Sequence, residues 1–159
     1  MEDQMKKTQD VNDTTQVRLS SSGYHLKVLG TWLDSQMNKR LKPLGLSLNQ
    51  FTIIMTLLEQ DGLTQVQISK KVMLPAYATT RNLDKLESLG FIERQKHETS
   101  RRSFSIRLTE EGRNLAPTLF QASSEVNEQF LSPLDKQDKI VFLRILNSLT
   151  GSVKQSSSD

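Results

Sequence analysis

Residues 63–115 run LTQVQISKKVMLPAYATTRNLDKLESLGFIERQKHETSRRSFSIRLTEEGRNL. Thr64 with Gln67 three residues on is a capping box, in which each side chain satisfies a backbone N–H that the first helical turn leaves orphaned. It opens a short helix expected to end near Val72. Pro75 suits the first position of a second helix. Gly90, one past Leu89, suits its left-handed terminus. Two helices parted by two or three residues predict a helix-turn-helix, whose second helix enters the major groove. Residues 91–108 then hold two apolar runs, Phe91-Ile92 and Phe104/Ile106/Leu108, around a polar tip. The second run alternates with Ser103, Ser105 and Arg107, the period of a half-buried strand. This predicts a β-hairpin with Arg101 and Arg102 at its end. Such a wing suits a narrow minor groove, where negative potential is enhanced. The two arginines alone fit a solvated turn equally well, and the helices before them favour the wing.

The second helix is expected to turn Thr79, Leu83, Leu86 and Leu89 inward. Tyr77, Thr80, Arg81, Asp84 and Lys85 then face outward, a surface of donors, acceptors, one ring and two cations that can bond base edges and phosphates. An ordinary solvated helix face is the plainer reading, but solvation alone gives no reason for a tyrosine. The candidate DNA-contacting set is Thr64, Gln65 and Lys70 on the first helix, Ala76, Tyr77, Thr80, Arg81 and Lys85 on the second, and Arg101 and Arg102 on the wing.

Charge is placed unevenly. Residues 64–108 carry nine Lys and Arg against four acids, residues 1–63 balance at seven against seven, and residues 109–159 carry five against seven. A basic centre between neutral and acidic flanks fits a polyanion-binding module on a scaffold. The chain has 159 residues and no cysteine, which excludes disulfides, thiolate metal sites and cysteine redox sensing. Its only histidines, His25 and His97, have no partner at metal-ligand spacing. No cofactor, metal or catalytic residue is expected. No apolar run is long enough for a membrane span, and no signal peptide is apparent, so a cytoplasmic protein without membrane association is expected.

The flanks look helical. Leu26, Leu29, Leu33, Met37 and Leu41 recur at spacings of three and four, widened by Val28 and Trp32, and predict a helix over about 21–42 ended by Pro43. Ser47 with Gln50 is a second capping box, opening a helix whose expected buried face is Leu48, Phe51, Ile54/Met55 and Leu58. Thr109 is expected to cap a helix striped by Leu115, Leu119, Ala122, Val126 and Phe130 and interrupted near Pro117. Ser132-Pro133-Leu134-Asp135 suggests a last helix start, running to about Thr150 and stopping at Gly151. Its Ile140–Leu146 segment is apolar nearly all round, so a second subunit is its expected cover. The fold class is thus mainly α with a small β-wing: about six helices and one β-hairpin. The expected organisation is a flexible arm over 1–16, a helical dimerisation region over 17–45 and 109–152, a winged helix-turn-helix over 46–108, and a flexible tail over 153–159.

These motifs, taken together, resemble the MarR family of bacterial transcriptional regulators. The resemblance rests on Leu63-Thr64, on Thr80-Arg81, on Leu86 through Gly90 to Ile92 and Arg94, on Arg101-Arg102, and on Leu108-Thr109 with Gly112. It implies a homodimer on a pseudo-palindromic operator of double-stranded DNA, more a repressor than an activator, at the bacterial nucleoid. It also implies a small aromatic or phenolic effector, for which Tyr24, His25 and Trp32 are the candidates, although aromatics at helical spacing more often belong to a core. The family's wing-tip acids are replaced here by His97 and Ser100. The alternative to DNA is an acidic protein partner docked on the same winged-helix frame.

Overall fold

The structure is a computed structural model that describes the backbone of residues 14–97 and 100–156 and the side chains of residues 14–96 and 104–153. Residues 14–19 are helical, so the part of the expected arm within that span is ordered as helix; residues 1–13 lie outside the described residues. Helix α1 spans Ser22–Leu41, with Ser21 accepting from the Tyr24 N–H, and passes into a 3-10 turn at Lys42–Leu44 that holds Pro43. Helix α2 spans Leu48–Glu59, and strand β1 is Leu63–Thr64. Helices α3 (Gln65–Val72) and α4 (Ala76–Ser88) form the helix-turn-helix. Strands β2 (Ile92–His97) and β3 (Ser100–Leu108) form the hairpin. Helices α5 (Glu110–Asn114), α6 (Ala116–Leu131) and α7 (Lys136–Ser156) complete the chain. It divides after Ala122 into two compact units.

Both capping boxes form as their spacing predicts. Ser47 N–H donates to Gln50 Oε1 at 2.8 Å, and Thr64 N–H donates to Gln67 Oε1 at 2.8 Å. The hydroxyl oxygens accept in return from Gln50 N–H and Gln67 N–H. Thr64→Ala should therefore lower stability by about 1 kcal/mol, read as an earlier urea midpoint at unchanged slope. Pro75 is the N-cap of α4 rather than its first helical residue. Gly90 takes φ +75 just past the Leu89 C-cap, a conformation that suits glycine.

The hairpin gains a third strand that the sequence did not announce. The order is β1-β3-β2, all antiparallel, with Leu63 opposite Ile106 and Ile92 opposite Leu108. Ile106 and Leu108 are buried as expected, but Phe104 is 48% exposed and Ser105 is buried. The cause is the central position of β3. Ser105 has Thr64 on one side and Gln95 on the other. Beyond Ser105 β1 has ended, and Phe104 keeps only Lys96 of β2 opposite. Phe91 precedes β2 and is half-buried.

The core of the first unit joins Leu41, Ile53, Ile54, Leu57, Ile68, Leu83, Leu86 and Ile106, all essentially without exposure. Each such aliphatic side chain contributes about 1.5–3 kcal/mol on burial. The deeply buried face of α2 is thus Ile53, Ile54 and Leu57. Leu48, Phe51, Met55 and Leu58 are only half-buried; α2 touches α1, α3, α4 and β3, so more than one partner sets its buried face.

The wing is tied to α5 through Thr109. Its hydroxyl donates to Gly90 O at 2.6 Å and accepts from Gly112 N–H at 3.0 Å, while its own N–H donates to Phe91 O at 3.1 Å. Asp61 braces the same corner by accepting from Leu108 N–H at 3.0 Å and from Arg113. The expected interruption near Pro117 is present, between α5 and α6.

In the second unit Phe130 and Phe142 meet at 6.0 Å between ring centroids. The last helix starts later than its sequence suggests. Asp135 is the residue whose carboxylate accepts from Asp138 N–H at 2.8 Å, whereas the Ser132 hydroxyl donates back to Gln129 O at 2.8 Å and so finishes α6. Helix α7 also runs through Gly151 to Ser156, which replaces the expected stop and the first part of the expected tail. One exposed glycine costs about 1 kcal/mol against alanine, too little to end a helix of 21 residues. Among the described residues no helix is long and apolar enough to cross a membrane.

Candidate nucleic-acid interface

Helix α4 presents the face that its sequence pattern predicts. Thr79, Leu83 and Leu86 are fully buried, and Leu89 is half-buried. On the opposite side Ala76, Arg81 and Lys85 are exposed, and Tyr77 is 79% exposed. A ring that large left in water near the start of a helix is available for stacking or methyl contact.

Thr80 and Gln65 are half-buried and bonded to each other, with Gln65 Nε2 donating to Thr80 Oγ1 at 2.7 Å. The Thr80 hydroxyl in turn donates to Ala76 O at 2.9 Å. Its hydrogen is therefore spent inside the protein. The pair fixes the start of α3 against the first turn of α4, so Thr80 sets the pose of the helix and keeps only acceptor capacity for a ligand. Gln65 keeps its carbonyl oxygen. Thr64 is half-buried in its capping box, and Lys70 is exposed in the last turn of α3. Between α3 and α4, Met73 takes φ 53 and stands 71% exposed.

Arg101 and Arg102 lie on β3; their side chains, and the tip at residues 98–99, lie outside the described residues. His97 of β2 faces Ser100 across the hairpin, which puts both arginines just after the tip on the returning strand.

Sequence reasoning missed the residue that joins wing to helix. Arg94 of β2 bonds Asp84 at 2.5 Å and also bonds Glu87, both on α4. The signal was available: two acids one turn apart share a helix face, and an arginine follows four residues after the Gly90 turn. Asp84, expected as an outward acceptor, is engaged by Arg94. A second missed feature is a cleft of about 710 Å³ beside α4, lined by Tyr77, Arg81, Asn82, Asp84 and Lys85 and by Ser47, Asn49 and Gln50 at the start of α2.

Two of the aromatic candidates on α1, Tyr24 and His25, are used locally. Tyr24 and His25 rings pack edge to face at 5.3 Å. Arg18 lies over the Tyr24 ring at 5.0 Å, and His25 Nε2 bonds Leu19 O at 2.7 Å. Both side chains fasten the preceding helical turn to α1. Trp32 is half-buried two turns further on. Among the described residues no cluster of His, Asp and Glu could hold a metal ion.

A sequence profile of the MarR family matches residues 46–104, the span from the approach to α2 into β3. The HTH-type transcriptional regulator SarZ of Staphylococcus haemolyticus is 32% identical over 101 residues, which is 64% of this chain and 69% of that one. The chain belongs to the MarR family. A MarR transcriptional regulator from Methanosarcina mazei superposes with a TM-score of 0.76 at 29% identity, over 86% of this chain and 96% of that one. The HTH-type transcriptional repressor Rv2887 of Mycobacterium tuberculosis is 29% identical over 127 residues, 80% of this chain and 91% of that one. Its crystal structure in complex with salicylic acid superposes with a TM-score of 0.69 at 28% identity, over 82% and 96%. As a MarR protein the chain is a DNA-binding transcriptional regulator and not an enzyme. Its helix-turn-helix and wing are the winged helix of that family.

Proposed function

We propose that this MarR protein is a homodimeric repressor that reads a pseudo-palindromic operator, in the bacterial cytoplasm, through α4 and the wing. The observation that carries the reading is the outward face of α4, where Tyr77, Arg81 and Lys85 are exposed and Arg81 and Lys85 have no acid bonded to them among the described residues. An arginine on such a face suits the two acceptors of guanine, and a ring suits a thymine methyl. Lys70 and the wing arginines suit phosphate and minor groove, while Thr64, Gln65, Ala76 and Thr80 bring backbone and acceptor groups to the same surface. Residues 46–108 form the reading part. Residues 17–45 and 109–152 carry dimerisation, which two-fold symmetry translates into half-sites about 10 bp apart.

A small aromatic acid is the proposed effector, in keeping with the salicylic acid complex of Rv2887. Tyr24, His25 and Trp32 are its proposed contacts. Such a ligand acts only by binding the DNA-competent arrangement and its alternative unequally.

The test is selection of bound duplexes from random DNA, followed by polarisation titration across salt. About four phosphates per subunit give a slope near −7 in log K against log salt. Lys70→Ala should reduce that slope by about 1 per half-site while leaving the preferred sequence unchanged. Absence of salt-sensitive duplex binding at low salt would instead favour an acidic protein partner.

A further inference from the structure

The recognition helix carries one guanidinium that faces out and competes with another for the same acid. Asp84 lies one turn from Arg81 on α4, the spacing at which opposite charges on a helix pair, and both side chains line the same cleft. Yet Asp84 is turned to Arg94 of β2 at 2.5 Å, and Glu87 is bonded to Arg94 as well. The Arg94 side chain is 21% exposed, against 60% for Asp84 and 40% for Glu87. Arg81 is left exposed and without a partner among the described residues.

We infer that Arg94 is a positioning residue that withholds Asp84 from Arg81, so that the guanidinium of the recognition helix meets the polyanion unneutralised. The inference rests on the reading that α4 meets DNA and adds a residue to it. Arg94 wins the competition for two physical reasons. It engages two carboxylates at once, and its partial burial lowers the local dielectric and strengthens each attraction. An Arg81–Asp84 pair would be solvent-exposed and correspondingly weak, so it forms only when Arg94 is gone. The same clamp keeps two negative charges turned toward the wing base instead of toward incoming phosphates.

A plain strut between wing and helix is the rival, and acid removal separates the two. The probe is a duplex recovered from random sequence with the wild-type protein, and every variant is first checked for wild-type helicity. Arg94→Gln should weaken binding roughly fivefold, the scale of one exposed helical ion pair gained in each of two subunits. Asp84→Asn should bind as tightly as wild type or tighter. The double variant R94Q/D84N should return to within about twofold of wild type, because no acid remains beside Arg81. A strut predicts the reverse: D84N would weaken binding and the double variant would stay as weak as R94Q, and either result overturns the inference. The Arg81 15Nε–1Hε resonance supplies a readout without DNA. It should move in R94Q and return in the double variant, and an unmoved resonance overturns the inference. If wild type retains no duplex, the DNA reading falls while this resonance still decides the clamp. If R94Q does not fold, D84N still decides by its sign, and Arg94→Lys, which keeps the charge, should bind within about twofold of wild type.

Discussion

Gly112→Ala should cost about 3 kcal/mol of folding stability, at the upper end of what overpacking a tight site costs. A Cβ at this position would collide with the carbonyl oxygen of Phe91 and lie 3.0 Å from its carbonyl carbon and 3.2 Å from Leu108 Cδ2. The atoms in the way are mostly backbone, so no rotamer change relieves the contact. The same Phe91 carbonyl accepts from Thr109 N–H, and the Thr109 hydroxyl accepts from Gly112 N–H. Moving either strand or helix to make room therefore breaks the bonds that fasten the wing base to α5. Urea denaturation followed by circular dichroism reads the loss as a lower midpoint. A change under about 0.5 kcal/mol, the scale of an ordinary surface substitution, would show that the close approach relaxes freely. Gly30 is the control. Nothing lies within 4 Å of a Cβ there, so Gly30→Ala should gain up to about 1 kcal/mol from helix propensity.

That contrast shows what the chain discloses in one dimension. Capping boxes are local, and both Ser47/Gln50 and Thr64/Gln67 were legible because all their atoms lie within four residues. The inward face of α4 was legible because Thr79, Leu83 and Leu86 recur at helical spacing and all three are buried. The faces of α2 and β3 were not. Ile53, Ile54 and Leu57 are deeper than Phe51 and Leu58, and α1, α3, α4 and β3 all pack on α2, so its buried face is set by several distant elements at once. Ser105 is buried because Leu63-Thr64, a strand of two residues, adds to β3 with Thr64 opposite Ser105 from 41 positions upstream. Two-residue strands carry no period to detect. The site followed the same rule. Tyr77, Arg81 and Lys85 could be placed outward from spacing alone, but the Gln65–Thr80 bond and the Arg94 clamp join separate elements. They turn two nominal contact residues, Thr80 and Asp84, toward the protein itself.

The apolar faces left open in the single chain carry the largest expected effect. On α7, Ile140, Leu143, Ile145, Leu149 and Val153 are between 41% and 61% exposed. On α1, Leu26, Val28 and Leu29 are between 37% and 54% exposed. Exposed apolar side chains in such number on each of two helices mark interaction sites, and a second copy is the cover required by the proposed homodimer. Leu149→Asp discriminates sharply because the residue is 55% exposed in one chain. If the face stays in water, the substitution changes an exposed position and should alter stability by less than about 0.5 kcal/mol. If a second copy covers it, the interface must bury a carboxylate, at a cost of about 2 kcal/mol or more per site. Two-fold symmetry enters that cost twice. The dimer dissociation constant should then rise by roughly a thousandfold, since each 1.4 kcal/mol is a factor of ten. Sedimentation equilibrium reads this directly, and operator affinity should fall with it because each half-site would be bound alone. A variant that sediments as the same dimer as wild type would place the subunit contact elsewhere. The winged helix itself should remain folded in either case, because the core of Leu41, Ile53, Ile54, Ile68 and Leu83 is closed within one chain.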